Sequence, residues 1–215
     1  MRLLDTFCKA GGAGMGYKLA GFEVVGVDIE PQPNYPFEFH QADAIEYIKQ
    51  HGHEFDAIHA SPPCQEYSVT SSLKTKEYPT LIDPVRELLI KSGKAYIIEN
   101  VPGSPLMNPL LLCGTMFGLR VIRHRYFENN FGLHFAPFSC NHWGKTQPRN
   151  DKRGESKGAS LQKHSFLTVT GHDFVKADAS MAMGISWMKN AELAQAIPPA
   201  YTEYIGRHLA GVIAA

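Results

Sequence analysis

The chain has 215 residues, enough for one sizeable core and a small inserted lobe. Its 21 basic and 21 acidic residues balance, so nothing global announces a nucleic-acid partner, and any basic surface must be local. No stretch is apolar for long enough to span a bilayer, and the N-terminus lacks a basic-then-apolar export pattern, so a cytoplasmic protein with no membrane partner is expected.

The first half alternates strand-like and helix-like segments. Arg2 to Phe7 is a short apolar run, followed by a glycine-rich turn with Gly11, Gly12, Gly14 and Gly16. Glu23 to Val27 reads as a second strand ending at Asp28. Ala44 to Gln50 has helical spacing of Ile45 and Ile48 and stops at Gly52. Asp56 to Ala60 is a third apolar run, cut off by Ser61-Pro62-Pro63. The next helix is expected to be capped by Asp83, with Pro84 in its first turn, Val85, Leu88 and Leu89 on one face, and Gly93 at its end. Ala95 to Ile98 is a strand running into Glu99-Asn100-Val101.

This alternation predicts an α/β fold with a doubly wound, mostly parallel sheet. Ligands of such sheets bind at the carboxyl ends of strands. The glycine turn, Asp28, Ser61 to Gln65 and Glu99-Asn100 all fall at such ends.

The pattern fails after about Phe127. Asn141 to Lys163 is polar, with Lys145, Arg149, Lys152, Arg153, Lys157 and Lys163 against only Asp151 and Glu155. We read a basic loop or small lobe there. A strand is expected at Phe166 to Val169, and a helical tail from Glu192 to Ala215, interrupted at Pro198-Pro199. The expected organisation is a catalytic and cofactor-binding unit over 1–127, a small basic recognition lobe over 128–180, and a return to the first unit over 181–215.

Cys8, Cys64, Cys113 and Cys140 form no CxxC pair and read as free thiols. Cys64 differs from the rest. It follows a strand end, in a proline-stiffened loop suited to holding a nucleophile in place. Pro62-Pro63-Cys64-Gln65 resembles the catalytic loop of the DNA cytosine-5 methyltransferases. Other segments resemble that family's motifs in the same order. Asp5-Thr6-Phe7-Cys8-Lys9-Ala10-Gly11-Gly12 is similar to the cofactor loop, Val27-Asp28-Ile29 to the acidic end of the second strand, and Ala42-Asp43-Ala44 to the adenine-contacting segment. Glu99-Asn100-Val101 matches the Glu-Asn-Val motif. Arg123-His124-Arg125 resembles the arginine motif, and Ala196-Ile197-Pro198-Pro199 through Gly206 the C-terminal one. The resemblance covers residues 1 to about 128 and 181 to 215.

The resemblance implies a Rossmann-like class I methyltransferase that uses S-adenosylmethionine and acts on DNA, as a monomer with no obligate protein partner, in a prokaryote or phage. It implies that Cys64 adds to carbon 6 of cytosine. Glu99 would hydrogen-bond nitrogen 3, since a carboxyl desolvated beside an uncharged base tends to keep its proton. Arg125 would hold the cytosine carbonyl and orient Glu99, and Arg123 would sit near the nucleophile or a backbone phosphate. Phe7, Gly11, Gly12, Asp28, Ile29, Asp43, Ala44, Pro62 and Ile197 would hold the cofactor. Asp28 would take the ribose hydroxyls, Asp43 the adenine amine and Phe7 the adenine face. Pro63, Gln65, Ser68, Asn100 and Val101 would meet the base, and Lys145, Arg149 and Arg153 the phosphates. A nicotinamide site is the weaker reading, because Gly-x-Gly-x-x-Gly is absent.

Three positions depart from the family pattern. Lys9 stands where the first loop glycine is usual. It could reach the carboxylate of the methionine moiety, point to solvent, or favour a cofactor with an extra negative charge. Val121 replaces a glutamine, and Gln195 an asparagine. The recognition region is also short, which suits a short target or relaxed specificity. Cys140 and His142, even with His134 or His164, match no common zinc spacing, so no metal is expected, and Cys8 and Cys113 read as packing residues. Trp143 could wedge into a base step or anchor the lobe. Methylation of RNA or of a free cytosine nucleotide, and a non-catalytic DNA-binding role, remain alternatives.

Overall fold

Strand β1 (Arg2–Thr6) lies inside the sheet, with β2 (Glu23–Asp28) parallel on one side and β4 (Ala57–Ala60) parallel on the other. The computed structural model describes residues 1–63, 81–143, 145–146, 165–171 and 174–215. Strand β3 (Glu38–Gln41) extends the sheet beyond β2, and β5 (Ala95–Asn100) beyond β4, both parallel. Strand β7 (Arg125–Asn129) then runs antiparallel to β5, and β6 (Leu110–Leu112) antiparallel to β7. The seven-stranded order is β3-β2-β1-β4-β5-β7-β6. The expected mostly parallel, Rossmann-like sheet is present.

Alternate residues of the parallel strands feed two cores. Leu3, Val24, Ala57 and Ile97 face one side, together with helices α1 (Gly12–Leu19) and α6 (Pro199–Ile213). Leu4, Val25, Ile58 and Ile98 face the other, with Ile48 of α2 (Ala44–His51) and Val85 and Leu89 of α3 (Ile82–Ser92). Burial on both faces explains why these strands read as continuous apolar runs.

The glycine run is mostly helix rather than turn. Only Gly11, at φ 80°, makes the turn, and Gly12 already belongs to α1. These glycines serve close packing. A Cβ at Gly12 would lie 2.4 Å from the Ile197 carbonyl oxygen, and one at Gly16 2.1 Å from that of Pro199. The interrupted tail is α5 (Asn190–Gln195) followed by α6, which opens on Pro199, where a proline's missing N–H costs nothing. Asp83 does not cap α3. The helix starts two residues earlier than such a cap would place it, with Leu81 at the cap, and Asp83 pairs with Arg86 in the first turn.

The second half departs further from expectation. Strand β7 crosses residue 127, where the first unit was expected to end. Its Glu128 is buried but accepts two Arg86 bonds at 2.8 and 2.9 Å, which makes a charged strand tolerable in a core. Of the strand expected at 166–169, only Phe166 is in a strand, β9 (Ser165–Phe166), paired with β8 (Lys145–Thr146), while Leu167 bridges to Val121. Leu167 and Val169 pack with α4 (Lys176–Met183) against Ala10, Val121 and Ala196, so these parts of the expected lobe share a core with the loop that follows β1.

Candidate active site

Thr6, Asp28, Ala60 and Asn100 end four parallel strands on one edge of the sheet. A cavity of about 560 Å³ opens there, lined from all four strand ends and from residues of the C-terminal segment, including Met188 and Ile197.

Leaving β1, the chain passes through left-handed backbone at Phe7 (φ 55°), Lys9 (φ 45°) and Gly11. Such angles are costly for side-chain-bearing residues. Asp28 holds this path in place. Its Oδ2 accepts from the Lys9 N–H at 3.0 Å, and its Oδ1 from the Glu30 N–H at 3.1 Å. The Lys9 ammonium folds back to donate to Glu30 at 3.1 Å and stands 3.6 Å from Asp28. It is thus held between two acidic side chains at the edge of the cavity. Asp43 caps α2, accepting from the Ile45 and Glu46 N–H groups at 2.9 and 3.0 Å through one oxygen, Oδ1. Gly11 does not line the cavity. A Cβ there would come within 2.9 Å of Pro36 and 3.0 Å of Tyr35, so its place is in the turn.

At the other end of the cavity lies Glu99, 6% exposed. Burial pushes its carboxyl above the usual range, against the pull of Arg125 and of a hydrogen bond from Ser61. Arg125 Nε is 3.0 Å from Glu99 Oε1, yet that oxygen accepts no aligned hydrogen bond. The contact is an ion pair by distance, and it leaves acceptor capacity on Oε1. Asp5, also on the cavity, is fully buried; burial pushes it up to about 8, opposed by the Tyr35 hydroxyl donating at 3.2 Å. Its Oδ1 has no hydrogen-bond partner.

Behind Ser61 stands His59. Its Nε2 is 2.9 Å from the Ser61 hydroxyl, and its Nδ1 is 2.9 Å from that of Tyr17. Burial lowers its pKa to about 3, so it is neutral. A hydrogen-bonded chain thus runs Tyr17–His59–Ser61 and ends on the cavity that Glu99 also lines. Asn100 Nδ2 donates to the Pro62 carbonyl at 3.1 Å, tying β5 to the residues that lead into Cys64. Asn100 is 1% exposed, so its amide braces this loop rather than being free for a base.

Arg123 is held by backbone carbonyls at the rim of the same cavity. It donates to the carbonyls of Val169 at 2.7 Å and Ala194 at 2.9 Å and is 4% exposed. These bonds tie the C-terminal segment to the sheet, and they hold Arg123 on the cavity that Pro62 and Pro63 also line.

Residues 1–108 match the family model described as C-5 cytosine-specific DNA methylase. The chain belongs to that family. The Type II methyltransferase M.FnuDI of Fusobacterium nucleatum is 28% identical over 113 residues, which are 48% of this chain and 33% of that protein. M.NgoPII of Neisseria gonorrhoeae is 28% identical over 115 residues, again 48% of this chain and 34% of the relative. The chain thus matches about a third of the length of these curated relatives. Two solved structures share the fold. One is a prophage-encoded E. coli protein assigned as a DNA modification methyltransferase (TM-score 0.64, 15% identity, 100% of both chains). The other is the Dnmt2 methyltransferase of S. pombe (TM-score 0.61, 14% identity, 99% of both).

For this methylase-family chain, the cavity gathers Phe7, Gly12, Asp28, Ile29, Asp43, Ala44, Pro62, Pro63, Glu99, Asn100, Val101, Arg123, Arg125 and Ile197. Cys64, Gln65, Ser68, Arg149 and Arg153 lie outside the described residues, as does the Lys145 side chain. Sequence reasoning names Asp5 and Ser61 only as members of their segments, without a role of their own, and misses His59. His59 left a signal, a histidine inside the otherwise apolar run Ala57 to Ala60. It also treated Cys140 and His142 as lacking partners for a metal. Cys113 and His124 join them in space.

Proposed function

We propose that this chain transfers a methyl group from S-adenosylmethionine to carbon 5 of cytosine in DNA, with Cys64 as covalent nucleophile. The observation that carries the reading is Glu99. It is a buried carboxyl with a raised pKa, paired to Arg125, on the same cavity as Pro62 and Pro63, which directly precede Cys64.

The residues present fit the cofactor. Two buried carboxyl oxygens on the cavity, Asp5 Oδ1 and Glu99 Oε1, lack hydrogen-bond partners, and the exposed apolar Ile29 sits beside Asp28 on its lining. Phe7, Gly12, Asp28, Ile29, Asp43, Ala44, Pro62 and Ile197 would hold it. When bound, it supplies a methyl group on a positively charged sulfur.

The protein's residues do the rest. Cys64, as thiolate, adds to carbon 6 of the cytosine and makes carbon 5 electron-rich. Glu99 keeps a proton on nitrogen 3 as that charge develops, and Arg125 holds both the carboxyl and the cytosine carbonyl. After transfer the carbon 5 proton is lost, the carbon 5–carbon 6 double bond re-forms, and Cys64 leaves with the electrons of the carbon–sulfur bond. A duplex target must present its cytosine outside the stack. The basic run with Lys145, Arg149 and Arg153 supplies phosphate contacts, which give affinity with little sequence discrimination.

Incubation with methyl-labelled cofactor and duplex DNA, tRNA or dCMP tests the substrate, and label on dCMP alone overturns the DNA reading. Duplex DNA containing 5-fluorocytosine tests the chemistry. The protein is expected to be trapped covalently, and Cys64→Ser to abolish trapping.

A further inference from the structure

Away from the cavity, four side chains converge that the methylation chemistry does not use. Cys113 follows β6, His124 precedes β7, and Cys140 and His142 lie on the chain that leads into the basic run. One sulfur or nitrogen from each lies within 4.8 Å of all the others. His124 Nε2 is 3.4 Å from Cys140 Sγ, His142 Nε2 is 3.5 Å from Cys113 Sγ, and His142 Nε2 is 2.7 Å from Cys140 Sγ. Ligands bound tetrahedrally to one ion at the usual zinc–sulfur and zinc–nitrogen lengths stand about 3.3–3.8 Å apart. Two of these separations already have that value. The third requires the exposed His142 to move back by less than about 1 Å.

We propose that Cys113, His124, Cys140 and His142 form a structural zinc site. Two thiolates and two imidazoles are the donor set of closed, four-coordinate zinc centres, and the set includes no carboxylate, as a magnesium or calcium site would. The surroundings suit charged sulfurs. The Thr115 hydroxyl donates to Cys113 Sγ at 3.5 Å, lies 3.5 Å from Cys140 Sγ, and is itself held by the Asn141 N–H at 3.2 Å. Supporting hydrogen bonds of this kind fix ligand orientation.

The fold also gives the site a task. Residues 131–143 form no helix or strand, although they join the sheet to the basic run. An ion held by Cys140 and His142 on that segment, and by Cys113 and His124 at the sheet, would fasten it there. Since His124 lies between Arg123 and Arg125, the same ion would steady the strand that carries the Glu99 partner. On binding, the two thiols release their protons to solvent and the ion takes the sulfur lone pairs.

Metal content tests this independently of methyl transfer. The full chain, purified without a metal-binding tag from cells given zinc, is expected to retain about one zinc per chain after gel filtration. Cobalt(II) added to the metal-free protein should give intense d–d bands of tetrahedral geometry and thiolate charge-transfer bands. His142→Ala, at an exposed position, should bind zinc at least about tenfold more weakly in competition with a chelator. Cys140→Ser should lose about half of the charge-transfer intensity, and His134→Ala should change neither reading. Retained zinc below about a tenth of an equivalent with no tetrahedral cobalt spectrum overturns the proposal. So does a Cys113–Cys140 disulfide found by mass spectrometry in the native, metal-free protein.

Discussion

Arg125 Nε stands 3.0 Å from Glu99 Oε1 without completing an aligned hydrogen bond. Charge and geometry therefore act differently on this carboxyl. The guanidinium draws its pKa down, burial pushes it up, and burial prevails. If Glu99 works by holding a proton against the base, Glu99→Gln should lower kcat by roughly 10²–10⁴-fold while changing cofactor affinity little. Arg125→Ala removes the charge that lowers the pKa. The high-pH limb of its residual activity should therefore move upward, not downward, which a kcat–pH profile would show. A limb that moves down would mean that Arg125 does not govern Glu99.

The buried pair Asp5 and His59 makes stability depend on pH in opposite senses. Folded Asp5 titrates near 8 instead of 3.8, so its contribution is complete below about 3.8 and is lost as pH rises toward 8. Folded His59 titrates near 3 instead of 6.5, so its contribution is complete above 6.5 and is lost as pH falls toward 3. Glu99, also raised, adds to the Asp5 side. Asp5→Asn should therefore gain stability relative to the parent progressively from pH 4 to 8, reaching about 2–5 kcal/mol. Urea denaturation at several pH values measures this, and a difference that does not vary with pH would sink the account.

The parallel half of the fold was legible because strands buried on both faces must be apolar throughout, and because Gly93, in left-handed backbone, ends a helix where glycine is least costly. Strand β7 was not legible. Arg125 and Glu128 make Arg125–Asn129 look exposed, and only the three-dimensional arrival of Glu99 and Arg86 neutralises them. The candidate site divides similarly. Motif residues announced the cavity, whereas the Asn100 brace on Pro62 and the Tyr17–His59–Ser61 chain depend on contacts between strands. The four-ligand cluster was hidden for the same reason, because Cys113 and His124 are near Cys140 in space and not in sequence.

Glycine packing between α1 and α6 sets the distance at which the C-terminal segment meets the loop that follows β1. Thr202 fixes it by donating to the Ala13 carbonyl at 2.7 Å. Gly16→Ala would place a Cβ 2.1 Å from backbone and should cost about 1–3 kcal/mol, whereas Gly211→Ala, facing open space on α6, should gain about 0.5–1 kcal/mol. Thermal denaturation of both variants checks the contrast, and equal effects would refute close packing as the reason for glycine at position 16.

Lys9 occupies a left-handed position, so Lys9→Gly should fold without strain and remove the ammonium from beside Asp28 and Glu30. The proposed cofactor carries a sulfonium and an ammonium against one carboxylate, a net positive charge. Losing a cation from the cavity lining should favour its binding by about 0.5 kcal/mol, or about twofold, with solvent screening holding the effect to that size. Calorimetric titration at low and high salt measures it, and the gain should vanish in about 1 M salt, where the screening length is only about 3 Å. Weaker binding by Lys9→Gly would instead mean that the lysine leaves Glu30 when the cofactor arrives and takes hold of the methionine carboxylate. In that case the Lys9–Glu30 pair seen here is a resting contact broken on loading.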